Sequence, residues 1–183
     1  FGRIDTETRA DTTQSTTTLE WCNGFNGHTG NSHCPSGAAN ALTVQTSGAP
    51  TAVAYSDVLG RAIQETTVGR SGQLIYSNTE YNARGEVTRQ SQPYFAGDTK
   101  LWHSYKYDTL GRVYEEIAPD NSKSNYTFNG LSTTSQNALN QLNIRHENIV
   151  GETVHVLDAS QNDTYYRYDA FSNLIETEDE DSN

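Results

Sequence analysis

The sequence predicts an all-β protein in which antiparallel β-hairpins stack side by side. Three observations predict this architecture. A short pattern of aromatic, Asp or Asn, and Gly residues recurs along the chain, alternating apolar and polar runs flank it, and the composition offers little material for a deep core. Only 33% of the 183 residues are hydrophobic, whereas Tyr occurs 11 times and Met is absent. Such a Tyr-rich chain favours strands over a helical bundle.

The recurring pattern has clear and weaker copies. Successive copies start about 20 to 26 residues apart, which is the range of repeat architectures. The clear copies start at Tyr55, Tyr81, Tyr107 and Tyr168, and the weaker ones occupy residues 128–131 and 147–153.

Each copy has the chemistry of a strand, a tight turn and a second strand. In residues 101–107, apolar and polar positions alternate, so that every second side chain points to the same face. Asp108 follows and can bond nearby backbone amides, and Gly111 is free to adopt positive φ. Alternation resumes in residues 113–117, which predicts one β-hairpin per repeat. A hairpin is marginal alone, so neighbouring hairpins must cover each other.

The residues expected to shape the turns are the aromatic, acidic, Gly and Arg positions of the clear copies. Two later positions depart from the pattern: Ser172 replaces Gly, where we expect Asn173 to take the left-handed conformation, and Asn140 is expected to do so in an intermediate turn. The predicted repeat-turn residues are Tyr55, Asp57, Gly60, Arg61, Tyr81, Gly85, Tyr107, Asp108, Gly111, Arg112, Tyr168 and Asp169.

Residues 105–113 and 166–174 carry a family resemblance. They are similar to the signature Tyr-x-Tyr-Asp-x-x-Gly-Arg-Leu of the YD-repeat, or Rhs, family, and residues 92–98 and 128–134 resemble Rhs proteins of bacterial toxin complexes. The resemblance spans about residues 45–177. It implies an open, curved, spiralling sheet, a segment of the hollow shell that Rhs, Tc-toxin and teneurin proteins build. In the bacterial toxins that shell encloses a toxic polypeptide.

The resemblance also sets the expected domains and function. We expect a β-rich N-terminal segment in residues 1–44, a YD-repeat array in 45–177 and an acidic tail in 178–183, the whole being part of a longer chain. The expected function is a non-catalytic shell segment of a secreted or surface-displayed bacterial protein, without a cofactor. The alternative is an extracellular adhesion, carbohydrate-binding or fibre-forming module.

The expected partners follow from the open sheet and from the charge. Neighbouring YD repeats or identical chains would pair with its edges, and an enclosed toxin or a carbohydrate is a further candidate. The net charge of −11 argues against nucleic acid, which needs clustered basic residues. Membrane insertion is not expected, because no apolar stretch approaches the roughly 20 residues of a transmembrane helix.

Cys22 and Cys34 flank a loop rich in Gly and Asn. Their spacing is compatible with a disulfide in an oxidising compartment, with a zinc site that also uses His28 and His33, or with free thiols. A Cys pair at a matching place in several Rhs-like sequences favours the disulfide, and no metal site is expected.

For other polar and aromatic residues, a structural role explains the sequence better than catalysis or ligand binding. Glu115 and Glu116 point to opposite faces of a strand, so a shared catalytic site is not expected. His103, His146 and His155 occur singly in strand-like runs, as packed or surface residues. Aromatic rows such as Trp102 with Tyr105 or Tyr107 are better explained by cross-strand packing than by sugar binding.

Overall fold

A computed structural model describes residues 4–10, 12–22, 24 and 30–180 of the chain. These residues form sixteen β-strands, all pairs of which are antiparallel, and the described part contains no helix. The strand order follows the chain order and is linear, with one short strand branching from it. The predicted all-β fold class and the open sheet of antiparallel hairpins are therefore confirmed.

The first compact unit, Phe1–His103, contains eight complete strands. Each pairs with the next strand along the chain, except that the short eighth strand pairs back with the sixth beside the seventh. The strands are β1 (Ile4–Thr8), β2 (Gln14–Trp21), β3 (Asn40–Thr46), β4 (Ala52–Ser56), β5 (Ala62–Val68), β6 (Leu74–Tyr81), β7 (Val87–Ser91) and β8 (Tyr94–Phe95).

The second compact unit, Ser104–Asn183, continues the meander. Its first strand, β9 (Trp102–Tyr107), begins two residues before the boundary of the unit. The others are β10 (Val113–Ile117), β11 (Lys123–Asn129), β12 (Ser132–Gln136), β13 (Leu142–Glu147), β14 (Thr153–Leu157), β15 (Asp163–Tyr168) and β16 (Leu174–Glu180).

β16 continues into three of the residues assigned to an acidic tail. The compact units do not mark where the repeats begin and end. The boundaries predicted at residues 44 and 177 therefore remain predictions. In the described residues there is no helix long and apolar enough to cross a membrane.

A bulge follows most of the repeat turns. In these hairpins the second strand carries one residue more than its partner next to the turn. The pairing register shifts by one position at that extra residue. Such an extra residue increases the local right-handed twist of the ribbon. The intermediate hairpins, such as β10–β11 and β12–β13, pair without a shift. The extra residues are Ile63, Thr88, Tyr114, Val154 and Ile175.

Burial is slight and is confined to the first unit among the described residues. Tyr55 is 7% exposed, and the small side chains of Ala39 and Ala41 in the same unit are also buried. In the second unit no described residue is buried, and Tyr165 and Leu174 remain well exposed. Cross-strand pairs and turns must therefore carry more of that unit's stability than a core does.

Candidate functional site: the repeated turn

A five-residue turn is the structural unit that recurs. In the turn from Asp57 to Arg61, the Asp57 amide donates to the Arg61 carbonyl at 2.9 Å, and the Gly60 amide donates to the Asp57 carbonyl at 3.0 Å. The Asp57 carboxylate oxygen Oδ1 accepts from the amides of Leu59 (2.9 Å) and Arg61 (3.0 Å). One Asp side chain thus satisfies amides that the reversing backbone leaves unpaired.

The same bonds recur in both units wherever an Asp or Asn opens the turn. The side-chain oxygen of the first residue accepts from the third and fifth amides in every such turn. The turn at residue 158 was not predicted from the sequence, because it lacks both the aromatic and the Gly. The turn at residue 137 lacks them too, and only Asn140 indicated it. The turns begin at Asp57, Asn82, Asp108, Asn137, Asn148, Asp158 and Asp169.

The first and fifth side chains of these turns are chemically matched. Where the first residue is Asp, the fifth is a donor, Arg or Asn; where it is Asn, the fifth is an acceptor, Glu or Gln. Sequence reasoning did not connect these positions, although a fixed spacing of four residues is a visible signal. The pairs are Asp57–Arg61 (2.7 Å), Asn82–Glu86 (2.7 Å), Asp108–Arg112 (2.8 Å), Asn137–Gln141 (2.7 Å), Asn148–Glu152 (2.6 Å), Asp158–Asn162 (3.3 Å) and Asp169–Asn173 (2.9 Å).

The turn hydrogen bonds lower the pKa of the turn aspartates. For Asp169, the side-chain bond from Asn173 and the backbone bonds from Asn173 and Phe171 hold the pKa below its ordinary value. For Asp57, burial acts in the raising direction, but the bonds from Arg61 and Leu59 together outweigh it and the pKa is lowered. The ionised form is therefore the one that the turn stabilises.

The fourth residue of the turn has a left-handed backbone. Gly fills it in the turns at Gly60, Gly85, Gly111 and Gly151, with φ between 78° and 87°. Asn140 adopts φ 61°, as expected for an intermediate turn.

The expectation for the last repeat was wrong, because Ser172 itself takes φ 65°. Asn173 does not become the left-handed residue. Its amide and its side-chain Nδ2 both donate to Asp169, which fixes it in the fifth position of the turn.

Side chains of the repeated turn also join one hairpin to the next. The Arg61 guanidinium lies over the ring of Tyr81 at 4.7 Å, and Arg112 lies over Phe128 at 4.1 Å; each aromatic opens the following copy of the repeat. The Tyr81 hydroxyl donates to the carbonyl of Ala62, 2.9 Å away. These contacts bind the repeats at Tyr55 and Tyr107 to their successors by cation–π attraction, and the first pair also by a hydrogen bond.

A hydrogen bond from the aromatic residue to the preceding hairpin also occurs in the last repeat. The Tyr168 hydroxyl donates to the Thr153 carbonyl at 3.0 Å, and Thr153 directly follows the turn at Asn148. Tyr55 is the buried aromatic of the set, and the pKa of its hydroxyl is raised by burial and by the neighbouring Tyr76.

The two cysteines form a disulfide. Their Cα atoms are 5.7 Å apart, and Cys22 is 3% exposed. With both sulfurs bonded to each other, the structure does not assemble the zinc alternative, one of whose ligands, His28, lies outside the described residues.

The groups considered for catalysis or sugar binding have structural partners. Glu115 forms ion pairs with Lys106 (2.6 Å) and Lys123 (3.4 Å). These pairs lower the pKa of its carboxyl, and the hydrogen bond from Lys106 is the main cause. The ring of Trp102 is covered by the Arg89 guanidinium at 4.3 Å. A flat ring covered in this way offers no open platform on that side.

The histidines are not all isolated. His103 lies 3.5 Å from the Gln92 side chain. His146 and His155, treated as single residues from the sequence, lie directly opposite each other on β13 and β14 with stacked rings. The bulge after the turn at Asn148 sets that register, which the spacing alone did not reveal.

The strands and turns together define an all-β fold built from repeated hairpins, and known structures share this fold. The structure of TcdB2-TccC3 without the hypervariable C-terminal region matches with a TM-score of 0.58 at 16% identity, over 91% of this chain and 10% of that one. TcdB2-TccC3-Cdc42 gives 0.58 and 16%, over 93% and 10%. The Tc holotoxin pore of Photorhabdus luminescens gives 0.57 and 16%, over 90% and 10%.

These likenesses establish the fold. They confirm the predicted resemblance to Tc-toxin chains of the Rhs or YD-shell type at the level of structure. The chain spans about a tenth of the length of the structures that it matches. No family model matches the sequence, and no curated protein does.

Proposed function

We propose that this chain is a non-catalytic wall segment of a YD-repeat shell, belonging to a secreted or surface-displayed bacterial protein that encloses or carries a toxin. The observation that carries the proposal is the link between successive repeats: a turn Arg packs on the aromatic of the next copy, at Arg61–Tyr81 and at Arg112–Phe128. The repeated side chains are thus used to hold hairpins in a row.

The turn tips of the second unit support a role inside a larger assembly. Alternate turns of a meander lie on the same rim of the sheet, and one rim of this unit carries large apolar tips. Exposed apolar patches mark interaction surfaces, so we expect another part of the same spiralling sheet to cover this rim in the full-length protein. The tips are Leu110 (75% exposed), Leu131 (51%), Ile149 (90%), Val150 (70%) and Phe171 (87%).

The edge strands favour neighbouring repeats over identical chains as partners. Every residue of β1 and β16 is exposed, so both edges can accept another strand. β1 carries Asp5 and Glu7, and β16 carries an acidic run at residues 176–180. Like charges facing each other across strands are destabilising, so copies joined edge to edge in a fibre would repel.

Electron microscopy of the full-length parent protein tests the proposal. The expected result is a hollow particle whose wall contains this segment, with density for an enclosed polypeptide. A compact particle without a cavity would contradict it.

For the fibre alternative, the test is electron microscopy of this chain alone at millimolar salt and neutral pH. We expect monomers, and filaments would support the alternative.

A further inference from the structure

The hairpin of β11 and β12 reverses in a two-residue turn rather than in the five-residue turn. Asn129 pairs with Ser132, so that Gly130 and Leu131 alone form the loop. Asn129 and Gly130 are both exposed. Among the residues that the structure describes, neither the Asn129 side chain nor the Gly130 amide has a hydrogen-bond partner. An unbonded Asn side chain is therefore followed directly by the free amide of a Gly.

An Asn followed by Gly can cyclise without an enzyme, because Asn is a chemically labile residue. The Gly130 nitrogen attacks Cγ of Asn129, so that the N–Cγ bond forms and the Cγ–Nδ2 bond breaks. Ammonia leaves and takes up the proton lost from the Gly130 nitrogen. Water then opens the cyclic succinimide. Opening at Cγ gives Asp, and opening at the backbone carbonyl carbon gives isoaspartate, in which the chain runs through Cβ and Cγ.

The surroundings of Gly130 leave room for this attack. Gly130 has φ 59°, and an added Cβ at this position would meet no atom within 4 Å. Because Gly has no Cβ, a neighbouring group can approach its backbone closely. Attack requires the backbone of Asn129 to leave the strand conformation briefly, and such local opening costs least at an exposed hairpin end.

The asparagines that open five-residue turns are held in place by comparison. Oδ1 of Asn137 accepts from the amides of Leu139 and Gln141, both at 3.0 Å, and its Nδ2 donates to Oε1 of Gln141 at 2.7 Å. Asn82 and Asn148 each make the same three kinds of bond. Cyclisation of these side chains must first break those bonds, which slows it.

We propose that Asn129 is a site of spontaneous deamidation, with water as the co-reactant, and that it reacts before the turn asparagines. The proposal concerns the folded chain and does not depend on the assembly to which it belongs. The sequence contains two further Asn–Gly pairs, at 23–24 and 26–27, whose asparagines lie outside the described residues.

The products change the turn in two ways. Isoaspartate lengthens the two-residue loop by one backbone carbon, so that the pairing of Asn129 with Ser132 no longer closes with the same geometry. Either product places a negative charge beside Leu131, an apolar tip that is 51% exposed. A charge at this position opposes burial of the apolar rim against another surface.

Peptide mapping by mass spectrometry, after incubation of the intact chain at mildly basic pH, tests the site. Trypsin cleaves after Lys123 and Arg145, so residues 124–145 form one peptide that contains both Asn129 and Asn137. We expect a gain of about 1 Da at Asn129, shared between Asp and isoaspartate forms, before any gain at Asn137. The urea-unfolded chain sets the time scale. Unchanged mass at Asn129 in the folded chain, at times when the unfolded chain has reacted, would overturn the proposal.

A matched variant separates the effect of the structure from that of the sequence. Ala138→Gly places a Gly after Asn137 and leaves the three side-chain bonds of Asn137 available. In the folded variant, Asn137 should deamidate at least about tenfold more slowly than Asn129, since the bonds must open first. In urea the two sites should react at similar rates. Equal rates in the folded variant would contradict the claim that the unbonded side chain selects Asn129.

Discussion

The two compact units use the same turn but differ in what else supports them. The first has a disulfide and a few buried side chains around Tyr55, whereas no described residue of the second is buried. Both nevertheless form regular hairpins with the same five-residue turn. We infer from this difference that the turn and the contacts between successive repeats specify the meander, and that burial adds stability locally. The five predictions below test this division, from the largest expected effect to the smallest.

Tyr55→Ala should produce the largest loss and confine it to the first unit. Tyr55 is 7% exposed, and removing a buried aromatic side chain typically costs about 3–5 kcal/mol. The matched control is Tyr114→Ala in the second unit, where the ring is 40% exposed and the cost should stay below about 1 kcal/mol. Urea unfolding of each variant measures the difference, and equal costs would remove the distinction between the units.

Loss of the disulfide should rank second. Cys22→Ser with Cys34→Ser opens a loop with a sequence separation of 12, which in the chain-entropy model costs about 3 kcal/mol. Hydrogen exchange should show faster opening in the first unit and unchanged protection in the second. Reduction of the unmodified protein should reproduce the effect; a similar loss of protection in both units would show that they unfold together.

Exchanging the matched turn pair should reveal a specific coupling in the second unit. Asn148→Asp alone removes the Nδ2 donor and faces the Glu152 carboxylate with a second one, costing about 1–2 kcal/mol. Adding Glu152→Arg creates the Asp–Arg combination of the turn at Asp108 and should restore most of the loss. A double-mutant cycle by urea unfolding measures the coupling. Additive effects of the two substitutions would show that the first and fifth side chains do not interact.

The left-handed position should respond in opposite directions at two sites. Gly151→Ala should cost about 1 kcal/mol through backbone strain alone, since φ is 87° and an added Cβ meets no atom within 4 Å. Ser172→Gly should stabilise the chain by up to about 1 kcal/mol, because Ser172 has φ 65°. Thermal unfolding measures both, and a destabilised Ser172→Gly variant would mean that the Ser side chain has a role of its own.

The mildest effect should come from acid. The folded pKa values of Asp57, Asp108, Asp158 and Asp169 are lowered, so their contribution is present above the unfolded value of about 3.9 and is lost as the pH falls through the folded values. Stability should therefore be constant near neutrality and decline below about pH 4. Asp108→Asn should reduce the decline; an unchanged acid profile in that variant would assign it to other carboxylates.

The sequence was most informative where structure is local. A tyrosine, an aspartate and a glycine at fixed spacing predicted the turns at Asp57 and Asp108, since the atoms that make each turn lie within five residues. The turn at Asp158 was not predicted because Gln161, rather than Gly, adopts the left-handed backbone there, whereas Asn140 marked the turn at Asn137. At Asp158 the first side chain was the remaining signal.

Features that depend on register or on distant partners could not be predicted in the same way. The meeting of His146 and His155 depends on a bulge, which moves every later partner by one position. The choice among disulfide, zinc and thiols at Cys22 required the orientation of the partner Cys34. Ser172 was misjudged because the bonds to Asp169, rather than intrinsic backbone preference, decide which residue is left-handed.

Residue-resolved hydrogen exchange tests the central claim most directly. In the second unit, the amides of Asp108, Asn148 and Asp169 each donate to the fifth residue of their own turn while no described side chain around them is buried. If turns and repeat contacts specify the meander, these amides should exchange at least about 100-fold more slowly than in an unfolded chain. Exchange at unfolded rates throughout the second unit, with protection restricted to the surroundings of Tyr55, would contradict the account.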